Sequence, residues 1–201
     1  MYLLNYQYTH DIDWFCKVLE YPVHLASNGG RLPRLSYTIN ELVELQHLVA
    51  NMNQPFRCVV NIRYLENFLQ HGRYYESLDD QTEEEFRMML PEQFEISEEI
   101  RNLSRPLLLY GWSFIEMAKR GFYSFDRKDG NDNEYHLVAW PDRFNLDDFS
   151  HDVYDRLTEY GACCFPPKHQ DFRICLPDYI TFDANSFATF YIHNDIKSEN
   201  Q

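Results

Sequence analysis

Trp14-Phe15-Cys16-Lys17-Val18-Leu19-Glu20-Tyr21-Pro22-Val23-His24-Leu25-Ala26-Ser27-Asn28-Gly29-Gly30 is the stretch whose reading decides the fold. Aromatic and β-branched residues crowd both sides of Glu20-Tyr21-Pro22, a pattern that suits two short strands joined by a turn. Trp14 to Leu19 and Val23 to Ser27 therefore read as a hairpin, and Asn28-Gly29-Gly30 breaks the chain after it. The period then changes. Thr38 and Glu41 have capping-box spacing, and Ile39, Leu42, Val43, Leu45, Leu48, Val49 and Met52 recur at helical intervals until Pro55. A hairpin followed by an amphipathic helix, without regular strand–helix–strand alternation, points to an α+β fold.

The same mixture continues. Phe56 to Asn61 reads as a strand, and Tyr64 to Gln70 as a short helix ended by His71-Gly72. Pro106 suits the start of a helix, with Leu107, Leu108, Gly111, Phe114, Ile115 and Ala118 on its buried side. Lys119-Arg120 meets the negative end of its dipole and Gly121 stops it. Phe122 to Asp126 and Tyr135 to Trp140 form a second hairpin candidate, and a helix is expected from about Asp148 to Tyr160. Three short strand candidates follow, at 172–176, 179–182 and 188–192. Neither an internal repeat nor a Gly/Ser linker is present. The expectation is one α+β domain over residues 1–193, antiparallel hairpins packed on three to four helices, and a polar tail at 194–201 that frays.

The chain has 201 residues and a net charge of −14, from 32 acidic against 18 basic side chains. Such a field repels phosphate backbones and anionic membrane surfaces, so neither nucleic acid nor membrane is expected as a partner. The longest apolar run, Leu107 to Ile115, is nine residues and is interrupted by Gly111 and Ser113; a membrane span needs about 20. Met1 to Tyr8 lacks the basic and apolar regions of a secretory signal. Five cysteines without framework spacing fit reduced thiols. Together these features predict a cytoplasmic protein.

Four groups of residues bear on chemistry. His10 and Asp13 precede the first hairpin and enter it, and His24 lies on its second arm, so that Asp13 and His24 can meet at a sheet edge. Their chemistry is that of a general base with a carboxylate partner. No tight H-x-x-x-H or C-x-x-C spacing occurs, and no metal or cofactor is expected. Ser27-Asn28-Gly29-Gly30 is neither a Walker loop nor a dinucleotide fingerprint and reads as a turn. Cys163-Cys164, with His169 and Asp171 following, reads as buried thiols in an acidic context that raises a thiol pKa.

The fourth group is the most local. Residues 76–100 hold ten acids and one base, a net −9 of the chain's −14. A charge run is usually a solvated face, but carboxylates in this number also speed and select encounter with a basic protein. Tyr74 and Tyr75 directly precede the block as candidate anchors, and Glu83, Glu84 and Glu85 are its densest triplet. The expectation is an acidic binding domain that inhibits a basic partner, in the manner of an immunity protein or antitoxin. The alternative is a small hydrolase or transferase using His24 with Asp13 or His10, with or without a metal.

Overall fold

A computed structural model describes residues 11–18, 20–28, 38–71, 105–127, 134–160, 172–175 and 189–192. The first hairpin forms as its composition predicts: β1 (Asp13–Val18) and β2 (Tyr21–Ala26) pair antiparallel, with Phe15 opposite His24 and Asp13 opposite Ala26. The second, β4 (Tyr123–Arg127) and β5 (Glu134–Pro141), does likewise. β3 (Cys58–Val60) pairs antiparallel with the end of β5, and β6 (Phe172–Cys175) pairs parallel with its beginning; β7 (Thr189–Ile192) then lies antiparallel on β6. Among the described residues one mixed seven-stranded sheet results, in the order β1-β2-β4-β5-β6-β7, with β3 on β5. β1 is its edge.

Antiparallel hairpins alone do not make this sheet. The two hairpins are joined by a parallel contact between β2 and β4, which sets His24 beside Ser124 and Ala26 beside Asp126. A crossover of nearly a hundred residues separates those strands in sequence, so no local pattern announces the pairing. The strand candidate at 179–182 and the tail at 194–201 lie outside the described residues.

Among the described residues four helices cover the sheet: α1 (Ile39–Ala50), α2 (Ile62–His71), α3 (Arg105–Lys119) and α4 (His151–Tyr160). α1 begins with the expected capping box, Thr38 accepting from the Glu41 N–H while the Glu41 carboxylate accepts from the Thr38 N–H. α3 starts one residue before Pro106 and ends in a Schellman turn: Phe122 N–H donates to Met117 O at 3.0 Å and Gly121 N–H to Ala118 O at 2.9 Å. Gly121 has φ +101°, a left-handed conformation that glycine alone adopts without strain.

Side chains alternate along each strand, and the two sheet faces therefore bury different sets. Trp14, Cys16, Val23, Leu25, Phe125 and Leu137 pack with Leu42, Leu45 and Val49 of α1 and Val153 and Leu157 of α4. On the other face, Ala26, Val138 and Ala139 pack with Leu65 of α2 and Phe114, Ile115 and Ala118 of α3. A bulge between Ser124 and Phe125 skips Val138 in the β4–β5 register. That irregularity lets consecutive residues, Val138 and Ala139, face the same helices. Each large aliphatic side chain so buried contributes about 1.5–3 kcal/mol before chain entropy is set against it.

Candidate functional site

The face beneath α2 and α3 carries a row of polar groups. His24 and Asp13 sit diagonally across the β1–β2 ladder, and the Asp13 Oδ1 lies 3.0 Å from the His24 Nε2. That contact has ion-pair distance but falls outside hydrogen-bond geometry. On the other side of the ring the parallel register supplies Ser124, whose Oγ is 2.6 Å from Nδ1. Phe15 and Phe114 hold the imidazole, with ring centroids 5.4 and 6.1 Å away. Burial raises the Asp13 carboxyl, but the facing His24 lowers it further, and its pKa ends below the ordinary value.

Carboxylate, imidazole and hydroxyl in one chain are the parts of a nucleophilic relay. Access decides what such a chain can do. His24 and Ser124 are each 0% exposed, while the Asp13 side chain is 40% exposed. A serine nucleophile must touch its substrate, and this one is sealed in the sheet. What the arrangement achieves is to tie β2 to β4 through a buried polar contact and β1 to β2 through a half-exposed one.

A second constellation lies two residues further along β4. The Asp126 carboxylate is 2% exposed, and the hydroxyls of Tyr64 and Tyr110 both donate to its Oδ2, the former at 2.9 Å. Tyr64 is placed by the N-cap of α2. The Asn61 side chain accepts from the Tyr64 N–H at 3.1 Å and donates to Leu137 O at 2.9 Å, fastening the helix start to β5. Opposite Asp126 in the ladder is His136, whose ring stacks on Tyr64 at 5.3 Å. Burial pushes the Asp126 carboxyl up to about 7, against the pull of the two tyrosine hydroxyls, and the charge of Asp11 adds to the rise. Tyr110 is pushed far above its usual range, by burial first and by Asp126 second.

Asp11 completes the rim. Its Oδ1 accepts from the Asn28 N–H at 2.6 Å and from Ser27 Oγ at 3.2 Å. The Ser27-Asn28 turn therefore spends its exposed N–H on a carboxylate of the same chain, as a turn does and an anion cradle does not. Asn28 stands at φ +46° and reaches Arg127 O with its side-chain amide at 3.3 Å. Asp11, Ser27, Asn28 and Asp126 thus gather where the parallel strands β2 and β4 end, the position at which open α/β sheets commonly hold ligands.

Of the residues singled out from sequence, Asp13 and His24 are brought together. His10, Tyr74, Tyr75, Glu83, Glu84 and Glu85 lie outside the described residues. Asp126, Tyr64, Tyr110 and His136 escape sequence reasoning, because the register that assembles them comes from the β2–β4 pairing and the docking of α2 and α3. Among the described residues no group of three or more His, Cys, Asp or Glu is disposed to hold a metal ion, and no helix is long and apolar enough to cross a membrane. Cys16 and Cys58 are free and buried, and burial raises the Cys58 thiol to about 11. No family model matches the chain, and neither does any curated protein or solved structure.

Proposed function

We propose that the chain is an acidic binding domain that engages and restrains a basic protein, in the manner of an immunity protein or antitoxin, inside the cytoplasm. The observation that carries this reading is the concentration of charge: −9 of −14 within residues 76–100. The described residues add an acidic surface of their own. On α4, Val153 and Leu157 face the core, while Asp152, Asp155 and Glu159 are exposed and lie within one arc of the opposite side. Asp147 and Asp148 in the preceding 3-10 turn (Leu146–Asp148) are exposed as well. Arg156, an exposed ion pair with Glu159 at 3.6 Å, offsets one of these charges and leaves the helix face net acidic. Charge of one sign over such faces raises the encounter rate with a cationic surface and rejects anionic ones.

The test is a pull-down from native cells with the parent and with Glu83, Glu84 and Glu85 all changed to lysine. The reading expects a basic protein captured by the parent and lost with the variant, at an unchanged melting temperature. Equal capture by both refutes it.

The 3.0 Å contact between Asp13 and His24, with Ser124 on the opposite ring nitrogen, favours a second reading as a hydrolase or transferase. Its test is turnover of p-nitrophenyl esters and phosphoesters by the parent and by His24→Ala. Activity lost in the variant supports it; absence of turnover, or activity equal in both, refutes it. The burial of His24 and Ser124 makes the binding reading the better supported of the two.

A further inference from the structure

α1 and α4 pack against each other over the same face of the sheet, yet their outer sides differ in charge. α4 exposes Asp152, Asp155 and Glu159, whereas Glu44 is the single exposed carboxylate of α1. Beside it α1 exposes Val43 at 38% and Leu48 at 39%, both large apolar side chains, together with Asn40 and His47. The inner side of the helix is taken: Leu42, Leu45 and Val49 are buried in the core, and the Gln46 amide donates to Asp13 O at 2.8 Å. What remains outside is a nearly uncharged stripe on a chain of net charge −14.

We propose that this stripe of α1 is the contact between two copies of the chain, paired antiparallel about a two-fold axis. A strongly charged partner finds little to hold here. Two copies of one acidic chain, by contrast, must meet where neither brings many carboxylates. The stripe is also complementary to itself, as a two-fold contact requires. With the axis level with Leu45 and Gln46, Glu44 of each copy stands level with His47 of the other, so a carboxylate–imidazole pair forms twice. Val43 and Leu48 lie on opposite edges of the stripe, so Val43 flanks the second Val43 on one side and Leu48 the second Leu48 on the other. A helix of 12 residues is about 18 Å long. Such a contact is smaller than the roughly 1,600 Å² of a standard interface, and the expected dissociation constant is on the order of 10–100 μM.

This pairing does not rest on the acidic reading, and its test uses no basic partner. The experiment is sedimentation velocity of the full chain over a concentration range spanning that constant. Salt is held at about 0.15 M, where a Debye length of about 8 Å screens remote acids but not the contact pair. A concentration-dependent dimer is expected in the parent. Leu48→Glu should weaken it at least about tenfold at an unchanged melting temperature. Glu44→Lys should weaken it as well, although that change lowers the repulsion between copies, and His47→Glu likewise. The two together should restore it, because the swap rebuilds opposite charges across the axis. A chain that stays monomeric throughout overturns the proposal. So does a dimer that Leu48→Glu leaves intact, or one that the double swap weakens as much as either single change.

Discussion

Replacing Asp126 with asparagine removes a buried charge while keeping the side chain's shape and its capacity to accept from Tyr64 and Tyr110. In the unfolded chain this carboxyl titrates near its ordinary 3.8, and in the fold burial raises it to about 7. Between those values the folded state holds a proton that the unfolded state has lost. Stability from this group therefore falls as pH rises through that window and levels off above the folded value. A tenfold change in proton affinity corresponds to about 1.4 kcal/mol, so the whole window amounts to about 4 kcal/mol. About 3 kcal/mol of it falls between pH 5 and pH 8. Urea denaturation of the parent and Asp126→Asn at those two pH values isolates the effect, since every other titrating group is common to both. The variant should gain on the parent by about 3 kcal/mol on going to pH 8, with an unchanged denaturant slope. A stability difference that stays flat from pH 5 to pH 8 refutes the assigned burial and ionisation of Asp126.

Other substitutions probe the frame. Gly121→Ala combines a disfavoured φ with a Cβ that would lie 2.7 Å from the rings of Phe56 and Phe149, and should cost about 3 kcal/mol in chemical denaturation. Thr38→Ala removes half of the capping box of α1 and should cost about 1 kcal/mol by the same measure. Ser124→Ala leaves the His24 Nδ1 buried without its partner and should cost about 1–3 kcal/mol. Asp13→Asn, at the half-exposed end of the same chain, should cost under about 1 kcal/mol. An equal loss from both changes would show that the chain is not anchored at its buried end.

Local rules make the hairpins, the α1 cap and the Gly121 stop legible in the sequence. Trp14 to Ser27 carries its own turn, Thr38 and Glu41 satisfy each other within one helical turn, and Gly121 needs no distant partner to end α3. Asp13 and His24 are legible for the same reason: a hairpin register is a local property, and it places them across one ladder. What stays hidden depends on long-range pairing. Ser124 reaches His24 only because β2 and β4 run parallel, and nothing near position 124 announces a neighbour a hundred residues earlier. Asp126 reads as the polar end of a strand. Its partners Tyr64 and Tyr110 come from two helices whose docking follows from apolar residues, Leu65, Phe114 and Ile115, that carry no sign of the carboxylate they enclose.

The claim that acidic surface directs this chain to a basic partner meets its most direct test in an association rate. With the captured partner purified, the rate constant is measured against ionic strength for the parent, for the Glu83, Glu84 and Glu85 reversal, and for a reversal of Asp152, Asp155 and Glu159. Screening over a Debye length of about 10 Å at 0.1 M salt should slow the parent steeply. The charge-reversed chains should associate slowly at every salt concentration, with little further dependence on it. A parent rate that does not change with salt, or reversed chains that associate as fast as the parent, would contradict the account.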